Sequence, residues 1–446
     1  MTQRHRGIAV GLLGLGGLFA LAFLASQRTP APGHRPERFV YRFSLSNPVP
    51  SLKSIEALEQ RLATTSGNAF DLAELATLYF QRGRETGETV WLDRAEETAR
   101  RSLSLLPSPN PARLTLAKVA DARHRFREAI AMALEVLKDR SSTGALGILI
   151  SSHLALGEVD EAAHFADLSI ERMPDLSSYL QRALVLQTQG RDDEAAFDFE
   201  RAAQAEDVGN EEESARLRSL WARFLLRRGD YANADRLLRE SLRIRPENHL
   251  ALAIEGELEL RRGSPVEAQR LFMAAFTGSR QVRYLRLYAR AKAEARDSAG
   301  AEEARGQAEK LLRQDLGENG IGHRLDLAQL LVDRGRSADL QEAVKLCNDE
   351  LGLRKSPELY ATLSRALFGL GQLDPALSAA RAALRFGTRD PEYYELAART
   401  ELAVGNRPRA QFYSDLALSL DRSYRPAEET RLRLKQDAVA IHAGAH

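Results

Sequence analysis

The sequence predicts an all-α chain, most of it a right-handed superhelical solenoid of about ten stacked helical hairpins. Three periodic observations predict it. Alanine recurs at Ala95, Ala129, Ala162, Ala195, Ala234, Ala268, Ala301, Ala343, Ala376 and Ala410, at spacings of 34, 33, 33, 39, 34, 33, 42, 33 and 34 residues. Glycine stands five residues before that alanine at Gly157, Gly190, Gly229, Gly263, Gly371 and Gly405. Seven residues after it comes a second small residue, at Ser102, Ser169, Ala202, Ser241, Ala275, Ala308, Ala383 and Ala417. A small residue at one phase of a period near 34 marks a repeated helical hairpin.

One unit shows why. Leu217, Leu220, Trp221 and Leu225 recur at helical spacing, and Gly229-Asp230 breaks the pattern. Tyr231, Ala234, Leu237, Leu238 and Leu242 then begin a second helix, which Pro246 ends. The glycine closes the first helix in a left-handed backbone. The alanine is small because the two helices cross there. Neither helix buries its apolar stripe alone, so hairpins must stack, each expected to touch only its neighbours.

The elements follow in order. Residues 7–25 form an uncharged run of 19 residues behind Arg4 and Arg6, long enough to span a bilayer. Five of the 19 are glycine, and Ala20-Leu21-Ala22 offers a cleavage site, so a retained anchor and a cleaved signal peptide both fit. The basic leader favours export, with the body periplasmic or extracellular; the arginines at 28, 35, 38 and 42 weigh the other way. Residues 26–50 read as a proline-rich spacer, and 51–67 as a lead-in helix carrying Leu52, Ile55, Leu58 and Leu62. Residues 68–422 hold the hairpins, and 423–446 a capping helix and tail.

Helix, glycine turn, alanine early in the second helix and closing prolines at Pro107, Pro174 and Pro246 together resemble the tetratricopeptide repeat. The resemblance spans about residues 68–422. It implies a binding scaffold whose concave groove, lined by the first helix of each hairpin, takes a protein or peptide partner. Three places depart from the pattern: a longer turn at 83–90, an acidic insert at 207–213 and a stretched junction at 317–320. Each is expected to be a surface loop or a slight break in the superhelix.

No catalytic or metal-binding motif appears, and no cofactor, metal or enzymatic activity is expected. His153 and His164 fall on different helices with no third ligand in phase. Cys347, the single cysteine, sits at a packing position and reads as a small buried apolar group. Lys+Arg (63) and Asp+Glu (62) nearly cancel, so no global field attracts nucleic acid.

The informative charges are local. Counting back from the alanines puts Arg216, Arg223, Arg227, Arg261, Arg283, Arg286 and Arg290 towards the groove, with Glu257 among them and Arg365 and Arg399 in similar phases. Between Gln281 and Ala293 there are four cations and no carboxylate. Such a groove suits an acidic peptide. The alternative is that these are solvated cations paired with Glu257, Glu294 and other carboxylates. Tyr284 and Tyr288, at helical spacing, read as core, as do Phe199, Trp221 and Phe272. The expected function is thus a membrane-tethered or exported scaffold. An anionic-polysaccharide binder and a membrane-anchored regulator of lipopolysaccharide or envelope assembly are the alternatives; the second lacks the C-terminal CxxC that such a regulator carries.

Overall fold

The computed structural model describes residues 36–45, 51–64, 68–139, 141–317 and 323–444. The chain falls into two units, residues 1–40 and 41–446. Of the first, Pro36–Phe39 form a short 3-10 turn. The expected leader at 7–25 lies outside the described residues. No described helix is long and apolar enough to cross a membrane.

Within the second unit every regular element described is an α-helix. A lead-in helix, Ser51–Thr64, precedes ten hairpins, and Arg425–Gly444 follows them. The hairpins pair Ala69–Thr86 with Thr89–Leu105, Ala112–Ala122 with Phe126–Asp139, Thr143–Leu156 with Val159–Arg172, Leu176–Thr188 with Asp192–Gln204, and Glu211–Leu226 with Tyr231–Ile244. They continue with His249–Arg262 and Pro265–Ser279, Val282–Glu294 and Ser298–Gly317, Arg324–Arg334 and Ser337–Leu351, Pro357–Gly369 and Leu373–Leu384, and Pro391–Ala403 and Arg407–Leu420. The first helix of each is called A and the second B, so 5A is Glu211–Leu226.

The periodic residues do what the pattern requires. All ten marker alanines have 0% of their surface exposed. A larger side chain at any of them would push A and B apart. The second small position is buried throughout. Two of its three serines also pin B to the start of A: Ser102 Oγ donates to the Ala69 carbonyl at 2.6 Å and Ser241 Oγ to the Ala215 carbonyl at 2.8 Å. Phe199, Trp221, Phe272 and Cys347 are core, and burial pushes the Cys347 thiol up to about 12.

The six glycines all have positive φ, from 69° to 84°. His124 and Arg296 hold the same phase in hairpins 2 and 7, at φ 56° and 64°, although neither is glycine. Packing on both sides forces the turn where the sequence does not favour it.

Two of the three departures are helical in part, and the third is described only at Gly317. Helix 1A runs through Gly83 to Thr86, and the left-handed turn falls at Gly87. Gly83 is buried because a Cβ there would meet Leu92 at 3.1 Å and Trp91 at 3.3 Å. In the acidic insert, Glu211, Glu212 and Glu213 form the first turn of 5A, where carboxylates favour the positive end of the helix. At the stretched junction helix 7B continues to Gly317, and 318–320 lie outside the described residues.

A helices of successive hairpins pack on one another, whereas B helices show no comparable contact among the described residues. The A helices therefore follow the shorter inner path. The expectation that each repeat meets only its neighbours does not hold. The Lys355 N–H donates to the Ala155 carbonyl at 2.8 Å, Thr388 Oγ1 to the Thr188 carbonyl at 3.1 Å, and the Tyr231 hydroxyl to Asp421 Oδ2 at 2.7 Å. The last two partners lie 200 and 190 residues apart. At a period near 34 this is roughly six hairpins. The A–B turns of one superhelical turn thus abut the loops that join hairpins on the next. The closest approach is Gly190 against Gly387, where a Cβ on Gly190 would fall on the Gly387 carbonyl.

The end of the expected spacer is also docked. Tyr41 is 3% exposed against Ala215 and Ile244 of hairpin 5. Its N–H donates to Glu240 Oε1 at 2.7 Å and its hydroxyl to the Asp207 carbonyl at 3.2 Å. The aromatic pair Tyr41 and Phe43, packed edge-on at 5.5 Å, gives this stretch apolar surface to bury, which a free spacer would lack.

Two substitutions test this account. Gly190→Ala combines positive φ with a backbone clash and should cost at least about 2 kcal/mol. Arg296→Gly relieves the left-handed strain at a position without an ion pair among the described residues, and should stabilise by up to about 1 kcal/mol. Thermal unfolding followed by circular dichroism reads both; equal midpoints for the two variants would sink the assignment.

Candidate binding interior

The A helices of hairpins 5 to 10 bring charged side chains into the space they surround. The structure places each of the seven arginines expected to face the groove, and most are neutralised. Arg216 pairs with Glu213 at 3.2 Å, one turn away on 5A. Arg227 reaches across the superhelical turn to Asp390, at the start of 10A, at 3.0 Å. Arg261 bonds Asp421 at 3.0 Å and lies 4.5 Å from the Tyr424 ring. Arg286 is largely buried against Asp333 of 8A at 2.8 Å. Arg290 pairs with Glu294 at 3.0 Å, the partner expected from the sequence, yet its side chain stays 58% exposed. Arg365 meets Glu392 at 2.7 Å, and Arg399 lies over Phe368 at 4.9 Å.

Arg223 and Arg283 differ. Neither has a carboxylate partner among the described residues. Burial pushes the Arg223 guanidinium down to about 10, with Arg227 adding repulsion. Arg283 Nη2 donates to the Tyr284 hydroxyl at 3.1 Å. That hydroxyl lies 2.8 Å from His249 Nδ1. The two share one hydrogen bond, donated by the hydroxyl or by Nδ1–H according to the imidazole's tautomer. Burial, then the charges of Arg283 and Arg84, pull His249 down to about 4. Tyr284 is core, as expected, and Tyr288 is half-buried.

The cation-only stretch from Gln281 to Ala293 is therefore balanced from elsewhere. Arg365 holds Glu392 down to about 2 against the cost of burial, with Arg290, Arg227 and Arg261 adding to the effect. The carboxylates of Glu392, Asp390, Asp333 and Glu358 were not identified from the sequence. Each belongs to a hairpin brought near by winding, and the periodic pattern carries no signal for that.

A cavity of 880 Å³ opens between hairpin 1 and hairpins 5 to 8. Arg216 and Arg283 line it, together with Arg84, Arg245 and His249, which sequence reasoning did not single out. His153 and His164 do not form a pair: His153 Nδ1 lies 2.7 Å from Glu158, and His164 packs edge-on against Phe165. No group of three potential ligands for a metal ion occurs among the described residues.

No family model matches the chain, and no curated protein matches it. Among solved structures it is similar to yeast Tom70, at 11% identity and a TM-score of 0.39, over 88% of this chain and 93% of that one. An overlap this loose carries no argument. The hairpins themselves define the class: an all-α, tetratricopeptide-like helical solenoid.

Two measurements follow. Arg286→Glu sets a second carboxylate against Asp333 and should destabilise by about 2 kcal/mol or more, while Arg290→Glu stays within about 0.5 kcal/mol; denaturant midpoints compare them. The folded pKa of His249 lies below its ordinary 6.5, so the unfolded chain takes up its proton first. Its contribution to stability is full above 6.5 and is lost as pH falls from 6.5 to about 4. NMR titration should find the imidazole neutral at pH 5.5, and Arg283→Ala should move its midpoint upward.

Proposed function

We propose that this chain is a protein-binding scaffold whose charged interior recognises an acidic, extended segment of a partner. Residues 7–25 serve as membrane anchor or export signal and place the body in the cell envelope. The observation that carries the reading is that Arg223 and Arg283, alone among the seven arginines expected to face the groove, lack a carboxylate partner among the described residues. An incoming carboxylate would complete them, and a guanidinium fork suits it. The A helices, packed side by side along one path, suit an extended segment laid across several hairpins.

Crosslinking pull-down from native membranes tests the reading, with the full chain and an Arg223/Arg283/Arg290→Glu variant. Arg286 is left alone because its replacement would disturb the fold. A protein recovered by the first and lost by the second is the expected result. Recovery by both moves recognition to the convex face or the loops.

A further inference from the structure

The cavity beside hairpin 1 carries an inference that shares Arg283 with the partner reading and rests besides on Arg84 and Arg245. Its wall draws on three separate parts of the chain. Arg84 comes from the last turn of 1A, Arg245 from the junction of hairpins 5 and 6, and Arg283 from 7A. The winding brings them together. At Gly87, three residues beyond Arg84, a Cβ would lie 2.8 Å from the Ser279 carbonyl and 3.6 Å from the Gln281 side chain. Hairpin 1 thus abuts the loop that leads into 7A.

The other charges on this wall are engaged. Arg82 pairs with Glu85 at 3.5 Å, Arg123 with Asp93, and Arg216 with Glu213 at 3.2 Å. Asp315 and Asp326 flank His323 at 3.8 and 3.6 Å. Asp326 also lies in the field of Arg283, without forming an ion pair with it. Arg84, Arg245 and Arg283 have no carboxylate partner among the described residues, and two exposed carboxylates, Glu212 and Glu247, stand on the same wall. His249, its Nδ1 turned to Tyr284, adds a polar ring that carries no charge at ordinary pH. Its neutrality at ordinary pH is a consequence of the neighbouring arginines as well as of burial.

None of these three guanidiniums is held by a carboxylate among the described residues, so their forks are open to an anion in the cavity. The volume, 880 Å³, is that of a pocket for a small molecule rather than for a single monatomic ion. No Phe, Tyr or Trp lines it, so it offers no platform for stacking a nucleobase. We propose that this cavity binds a small non-aromatic polyanion, phosphorylated or polycarboxylic, held by Arg84, Arg245 and Arg283. Because Arg84 comes from one superhelical turn and Arg245 and Arg283 from the next, the ligand bridges the two and stabilises the wound state.

Isothermal titration of the full-length chain with sodium tripolyphosphate and, separately, with citrate tests this, at ionic strength held constant with sodium chloride. Saturable one-to-one binding of either is expected. Tripolyphosphate alone would assign the site to phosphoryl groups, citrate alone to carboxylates, and both to charge irrespective of source. Arg84→Gln with Arg245→Gln should weaken binding at least tenfold, while Arg270→Gln, on helix 6B and outside the cavity, leaves it unchanged. If the double variant loses helicity, the single variant Arg84→Gln, at an exposed position, should still weaken binding at least threefold. Absence of binding beyond that of chloride, or binding indifferent to Arg84 and Arg245, overturns the site. Neither variant touches Arg223 or Arg283, so failure here leaves the partner reading to its own test.

Discussion

The distance at which two helices cross sets almost everything else in this molecule. At each crossing stands an alanine with no exposed surface. It permits the close approach of A and B, and close approach fixes the angle at which the next hairpin is laid down. Repeated ten times, a small constant rotation becomes a superhelix. Here the A helices pack on one another along the inner path, and the winding is tight enough for successive turns to meet. A bulkier residue at the crossing would change the pitch as well as the local packing. The cross-turn hydrogen bonds at Ala155, Thr188 and Tyr231 all depend on that pitch.

Winding also decides the electrostatics. Seen along one helix, 7A is a row of cations. Seen across the interior, it faces Asp333, Glu358 and Glu392, carried by three other hairpins. The interior is therefore a lattice of compensated charge. Glu350 shows how far this goes. It occupies the phase of a buried small residue in hairpin 8 and has no exposed surface. Burial works to raise its pKa, but His124 of hairpin 2, 3.4 Å away, and Arg354, whose Nε donates to it at 2.6 Å, hold it down to about 2. A carboxylate can sit there because Arg354 donates to it and the neighbouring turn brings His124 and its ring against it.

Sequence and structure agree where the cause is local and part ways where it is distant. The marker alanines and turn glycines were legible because sterics at one residue dictate one residue type. The left-handed His124 and Arg296 were not, because there the conformation is imposed by packing on either side. The phases of the arginines were legible from helical spacing, and Arg290 pairs with Glu294, four residues along its own helix. Arg286 was read as facing an open groove and proved largely buried, since its partner Asp333 is 47 residues away. Arg84 and Arg245 carry no periodic mark at all. They gain meaning only from the cavity that the winding encloses.

The docking of Tyr41 on hairpin 5 bears on mechanics. In an open solenoid, tension on the chain ahead of the first hairpin would peel the repeats away one at a time from that end. Here the pull arrives at Tyr41 and is passed first to Glu240 and the Asp207 carbonyl, near the middle of the repeat array. The load would fall on a packed aromatic and two hydrogen bonds before it reached the lead-in helix. The terminal hairpins are shielded from any drag on the segment that precedes them.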